Sequence, residues 1–534
     1  MLAVTFLGVF IGMRIVPSLA NLELPILGVV TASLIVAIGT GVYLLTRPSF
    51  DRAVNLMMLT LPMLAALVID IGGSIRVTYV FTLLAIFFGV SQGRFTLSTR
   101  GLTVLFLHAY VVYALISISY TLAVPHLESL TMVGFRGSTF RSFIQFGQLL
   151  LMVAVFHVIL NYARSVRHVE KLCNLIFWAT VLVAIYGFYE FFAFLFNFPY
   201  VNLINTPLDA PEGGPMSLGR RLGEDYFAGS TRPFAGIELP RPRSFMGEAQ
   251  FLTTYLLFSV PFSVIAALTT TTRHYRWLKL LCVFAFVILF VLTNSRSGFI
   301  AIAGVLPVLL FFAPGWRARL SLIMGVLTFM LILSFVVFPL VGAGVGLGGV
   351  WRYIVETYQF ILDMSGRQGF LRDAINVFLL NPLFGVGIGN YIFYVDRTSG
   401  FFGSMVPTAG NIYMRVISEL GVIGMFLFLG FVGSIFFGVL KIVRKSLDYN
   451  LRRLAFATLI AFAGTMICLG AVSGLYTDSY IWVMWAMGAA VVQLKAVGHR
   501  MTPRRESSEN GQIGPTPRSV ARSRDGEERQ SRTD

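Results

Sequence analysis

The chain has 534 residues, of which 56% are hydrophobic and 12% charged, with a mean hydropathy of +0.78. Soluble globular proteins carry about 25% charge, so this composition excludes them and leaves a polytopic membrane protein. A formal net charge of +16 would suggest a nucleic-acid partner in a soluble protein, but membrane topology accounts for much of it, and none is expected here. Cys173, Cys282 and Cys468 all sit in apolar runs without CxxC or Cys/His spacing, which indicates neither a disulfide framework nor a metal site.

In chain order, the first apolar run ends in Ser18-Leu19-Ala20, like a signal-peptidase site, but it lacks a basic n-region and carries Arg14 late. A first membrane helix is therefore expected, not a cleaved signal. Apolar runs follow the pattern 2–20, 26–46, 53–69, 77–91, 101–120, 143–162, 172–196, 249–268, 280–293, 299–313, 320–342, 417–440, 454–474 and 480–497. They are continuous over about 20 residues rather than alternating over about 10, which selects helices over a barrel. The expectation is an all-α polytopic membrane protein with about 12–14 transmembrane helices. Alternate loops carry Arg47/Arg52, Arg94/Arg100, Arg164/Arg167/Lys171, Arg273/Arg276/Lys279, Arg317/Arg319 and Lys441–Arg453. The positive-inside bias puts these, and both termini, in the cytoplasm.

The other side then holds two long periplasmic loops, about 197–248 and 343–416, without obvious strands but rich in aromatic residues, Gly and Arg. Connections of that length are functional or disordered, and this composition argues for order. Trp351 to Leu362 has one apolar helical face, the pattern of a helix lying on the membrane surface. Residues 1–498 thus form a membrane domain. Residues 499–534, rich in Arg, Ser, Pro and Glu, form a cytoplasmic tail expected to be disordered.

All five lysines fall on the cytoplasmic side, whereas the outer side uses arginine alone. Arginine binds phosphate and pyrophosphate through a bidentate fork, so this bias fits an anionic substrate, or else a genome that favours arginine throughout. Arg296 lies in the short break Asn294-Ser295-Arg296-Ser297-Gly298, where a charge faces substrate or snorkels to the interface. Arg367 and Arg372 stand at the start of a helix expected from Phe370 to Leu379, a place suited to anions. The glycines at 385, 387 and 389 follow that helix rather than a strand, so they read as tight turns and not as a nucleotide loop. Arg241 and Arg243 precede Glu248 just before a span, and Glu248 is a general base or an ion-pair partner of those arginines. The six histidines show no metal-ligand spacing.

The stretch Gly366-Arg367, Pro382-Leu383-Phe384-Gly385-Val386-Gly387, Ala409-Gly410-Asn411 and Glu419-Leu420-Gly421-Val422-Ile423-Gly424 resembles the motif of the O-antigen ligase and polymerase family. In that motif a Gly-Arg pair precedes Pro-Leu-x-Gly-x-Gly, Ala-His-Asn and Glu-x-Gly-x-x-Gly. Ser295-Arg296-Ser297-Gly298 is similar to the family's Ser-Arg-x-Gly, and the segment ending in Glu248 resembles one from exopolysaccharide polymerases, with Ala249-Gln250 in place of Pro-Ser. One position departs: Gly410 stands where the family has His. The resemblance implies a GT-C-like fold in the bacterial inner membrane and a glycosyltransferase without metal or cofactor. Its substrate would be an undecaprenyl-pyrophosphate-linked oligosaccharide, with membrane lipid around it and a chain-length regulator and a flippase as candidate partners. Arg296, Arg367 and Glu248 would be catalytic, and Arg372, Arg241, Arg243, Asn411 and Tyr413 would bind substrate. A repeat-unit polymerase is the first expectation, a ligase to lipid A core or protein the alternative. A non-enzymatic flippase fits less well, because the charges lie in two outer loops and not along a central cavity.

Overall fold

A computed structural model describes residues 48–64, 68–70, 74–97, 101–123, 138–196, 231–234, 237–312, 355, 365–395, 410–471 and 478–501. The spans expected at 2–20, 26–46 and 320–342 lie outside the described residues. So do His126, residues 197–230 and 235–236 of the first long loop, residues 343–354, 356–364 and 396–409 of the second, with them the surface helix at 351–362 apart from position 355, and the tail from 502.

Every other predicted span falls on a helix. In order these are α1 (Phe50–Leu59), α2 (Val77–Ser91), α3 (Leu102–Ala123), α4 (Ser138–Tyr162), α5 (Val166–Leu195), α6 (Ala249–Leu268), α7 (Arg273–Leu292), α8 (Arg296–Phe312), α9 (Ser365–Leu380), α10 (Tyr391–Tyr394), α11 (Ile412–Lys445), α12 (Tyr449–Cys468) and α13 (Ser479–Met501). Among the described residues, α3, α4, α5, α6, α7, α11 and α12 are long and apolar enough to cross a membrane, and α2 and α8 are shorter apolar helices. The chain is an all-α polytopic membrane protein.

Two antiparallel hairpins correct the sequence reading. The run expected as a span over 53–69 yields only α1, which stops short of Pro62, a residue that cannot continue a helix; β1 (Val68–Asp70) then pairs with β2 (Ser74–Arg76). The long connection before α6 does contain strands, β3 (Thr231–Phe234) paired with β4 (Ile237–Pro240). Residues of such short strands carry too little periodicity to be told from loop.

At the centre stands α13, whose residues from Ser479 to Val491 are buried on every side. A helix apolar all round belongs in a core. Its Trp482 and Trp485 rings meet at 5.0 Å and pack on Phe431 of α11. Polar contacts gather in two layers at opposite ends of the bundle. One end has Arg94–Asp51 (2.6 Å), Arg453–Glu170 (3.4 Å) and Lys279 Nζ donating to Asn174 Oδ1 (2.6 Å). The other has Arg76–Asp478 (3.5 Å) and Arg415–Glu419 (3.2 Å), with the α6 and α8 starts beside them.

Candidate functional site

At this second end, the connection from β4 to α6 is built around a buried acid. Glu190, near the end of α5, is fully buried, and its Oε2 accepts the backbone N–H groups of Arg243 (2.7 Å) and Ser244 (2.8 Å). Ser244 Oγ donates to Val183 O (2.8 Å), and Phe245 stacks on Tyr186 with centroids 4.6 Å apart. A single helix thus supplies the acid, the carbonyl and the ring that fix this turn.

The break between α7 and α8 faces it. Arg241 Nε donates to Thr293 O (3.0 Å), and the Thr293 and Thr253 hydroxyls lie 2.7 Å apart. Arg241 also feels the charges of Arg243, Glu248 and Arg296, so four residues chosen from two separate stretches of sequence come together. Burial and then the Arg243 charge push the Arg241 guanidinium down to about 10, with Glu248 opposing them. Glu248 itself is held by Gln250, whose Nε2 donates to its Oε2 (2.6 Å). Gln250 is one of the two residues that depart from the polymerase-like segment, and it supplies a donor for the carboxylate. Among the described residues the left-handed non-glycine positions are Ser244 (φ 50) and Asn294 (φ 44), one in each facing turn. Such backbone costs of order 1–3 kcal/mol and persists where the surroundings over-determine it, as they do at binding sites.

The glycine motifs form a second unit. At Gly421 (φ 65, ψ -168) α11 breaks, because only glycine adopts this conformation readily. An intact helix would bond the N–H groups of Val422 and Ile423 to the carbonyls of Ser418 and Glu419. Instead these N–H groups go to Pro382 O (2.9 Å) and Leu383 O (3.5 Å), while the two carbonyls accept from Val386 (3.0 Å) and Gly387 (2.8 Å). The segment 382–387 therefore replaces part of the helix ladder. A Cβ at Gly421 would come within 2.2 Å of Leu383 O, and one at Gly385 within 2.4 Å of Glu419 C. The two glycine motifs exist for each other, and positive φ at Gly385, Gly387 and Gly389 agrees with the expected tight turns.

Polar groups from α4 and α11 surround this interlock. Arg415 bonds Glu419 (3.2 Å) and Gln145 Oε1 (3.0 Å), Arg141 Nε donates to Gly389 O (2.8 Å), and Ser142 Oγ donates to Asn390 Oδ1 (3.3 Å). Burial, followed by the Asp373 and Glu419 carboxylates, raises the Tyr391 phenol well above its ordinary value. Arg141 and Arg415, which belong to the arginines of the outer side, make internal ties here.

The remaining predicted residues are placed as follows. Helix α9 begins at Ser365 rather than near Phe370, since the early glycines are accommodated within its first turns. Arg367 therefore lies in the first turn, with its side chain outside the description, while Arg372 is exposed further along. Five residues of helix set the two positions about 140° apart, so they do not form one clamp at a helix N-terminus. Asn411 caps α11, its Oδ1 accepting from Tyr413 (2.8 Å) and Met414 (3.3 Å). Tyr413 donates its hydroxyl to Met466 O (2.8 Å), tying α11 to the end of α12. On the other side of that end, Thr254 Oγ1 lies 3.0 Å from Cys468 Sγ of α12, so the end of α12 stands between the two units. Gly410 has φ +60.

Glu190 was missed by sequence reasoning, although a lone acid inside an apolar run is a signal in itself. No curated protein matches the chain. The O-antigen ligase family model matches residues 280–429, which takes in Arg296, α9, the interlock and the start of α11 but not Arg241, Arg243 or Glu248. Over that stretch, 150 of its 534 residues, the chain is similar to the O-antigen ligase family, in agreement with the motifs it spans.

Proposed function

We propose that this protein is an inner-membrane polymerase that joins undecaprenyl-pyrophosphate-linked oligosaccharide repeat units on the periplasmic face. The observation that supports it most is the convergence of Arg241, Arg243 and Arg296 with Glu248 on two turns fixed by buried contacts. In this reading a hydroxyl of one unit attacks the anomeric carbon of the other, the bond from that carbon to the pyrophosphate oxygen breaks, and the pyrophosphate leaves with the electron pair. Arg296 and Arg367 hold the donor pyrophosphate, with Arg372 beside its path, and stabilise the charge that grows on it. Arg241 and Arg243 bind the second lipid-linked chain, and Glu248 takes the hydroxyl proton. Asn411 and Tyr413, at the start of α11, bind substrate in this reading. The sugar is already activated, because its anomeric carbon carries a pyrophosphate leaving group, so neither metal nor nucleotide is required.

The alternative is a ligase that moves finished chains onto lipid A core or protein. Gly410 favours the polymerase. The family's His would sit there, and the left-handed backbone at this position suits glycine and strains any L side chain by about 1–2 kcal/mol. Deleting the protein should leave single repeat units, on the carrier or on their normal acceptor, while longer chains vanish. Full-length polymer stranded on undecaprenyl pyrophosphate in the deletion strain would establish the ligase instead. Chain-length regulator and flippase functions encoded beside it would strengthen the polymerase reading.

A further inference from the structure

The turn after α9 is not placed like a solvent loop. Phe384 O accepts from Tyr113 of α3 (3.4 Å), and Ile388 N–H donates to Ser117 Oγ (3.2 Å). Both partners lie within the apolar span Leu102–Ser119. Tyr113 is about 9 Å below the last residue of that span at the rise of an α-helix. The chain thus descends along α9, turns at membrane depth against α3 and α11, and rises again through α10.

Two further features belong to a dry setting. The backbone of the turn is paired almost throughout: Pro382 O, Leu383 O, Gly385 N, Val386 N, Gly387 N, Ile388 N and Gly389 O each have a protein partner. Irregular backbone survives at membrane depth only when its polar groups are satisfied in this way. The outward edge, meanwhile, is apolar at its lower end. Leu379, Leu380, Leu383 and Phe384 are 62%, 63%, 52% and 50% exposed, and Val422 and Phe426 of α11 continue the strip at 51% and 64%. Higher on the same exposed face of α9 stand Arg372 and Asn376. The element is polar above and greasy below.

We propose that α9 and the 381–389 turn form a re-entrant element whose exposed edge from Leu379 to Phe384 is seated among the phospholipid acyl chains of one leaflet, with Arg372 and Asn376 at headgroup level. This places α9 within the membrane, whereas the sequence assigned it to a periplasmic loop. The inference stands independently of the glycan substrate.

The test uses full-length protein, with Cys173, Cys282 and Cys468 replaced, in phosphatidylcholine vesicles. Single cysteines at Leu379, Leu383, Asn376 and the fully exposed Leu447 carry an environment-sensitive fluorophore. Probes at 379 and 383 should be quenched by doxyl groups on the acyl chains and be at least threefold less accessible to iodide than the probe at 447, with 376 between them. Iodide access at 383 equal to that at 447 would overturn the proposal. So would shielding from both quenchers, which would mean that protein covers the strip. Hydrogen exchange of the unsubstituted protein in lipid nanodiscs guards against a variant that misfolds. Amides of 383–388 should exchange as slowly as those of α3, and exchange as fast as that of 446–448 would refute the re-entrant placement.

Discussion

Arg241 shows how burial shapes the candidate chemistry at a single residue. Its value near 10 is lowered from the ordinary range, so the charged form costs stability below that pH, a cost relieved as pH rises through 10 and offset below it by Glu248. It remains cationic at neutral pH. The same burial would push a lysine down from an ordinary value that already lies below that of arginine. Arg241→Lys should therefore lose activity at a lower pH than the parent protein as pH rises; parallel pH profiles for both would show that residue 241 takes no part. Arg296→Lys should cost roughly ten- to a hundredfold at neutral pH, because an ammonium does not reproduce a bidentate contact of about 1.5–3 kcal/mol. Near-normal polymer at matched protein levels would reduce Arg296 to an anchor. Glu190 acts through others: Glu190→Ala strands two buried N–H groups at about 1–3 kcal/mol each, whereas Glu190→Gln keeps an accepting oxygen. Thermal unfolding in detergent should fall clearly for alanine and far less for glutamine, with polymer formation following the same order.

At the scale of elements, the glycine motifs turn out to be joinery. The Pro-Leu-x-Gly-x-Gly and Glu-x-Gly-x-x-Gly elements exchange helix hydrogen bonds across the break at Gly421, and so fix α9, which carries Arg367 and Arg372, to α11. Gly421→Ala should fail on two counts, a strained left-handed backbone worth about 1–2 kcal/mol and a Cβ 2.2 Å from Leu383 O. Little folded protein is expected by fluorescence-detected size exclusion, and normal yield with normal activity would show that the interlock is dispensable. The sequence marked these glycines as turn formers but gave no hint of their partners. Residues 382–387 and 418–423 are separated by some thirty positions, and bonds exchanged between them leave no local periodicity.

Across the whole molecule, the separation of polar contacts into two layers matches the loops sorted by positive charge, and it predicts sidedness. A cysteine at Leu447, in the loop beside Lys441 to Arg453, should label with an impermeant thiol reagent only after the inner membrane is opened, while one at Ser217 should label in intact spheroplasts. Equal labelling would remove the periplasmic site along with the topology. The sequence by itself determined the membrane class, the order of nearly all described helices and the family resemblance, because hydropathy runs and motif letters are local properties of the chain. It also singled out Arg241, Arg243, Glu248 and Arg296. That these four share one place, that Glu190 holds their turn, that Arg141 and Arg415 serve as internal ties, and that the turn after α9 lies against Tyr113 were decided only by the tertiary structure. Each depends on which helix ends meet across the bundle, and packing of distant segments sets that, not the pattern within any one of them.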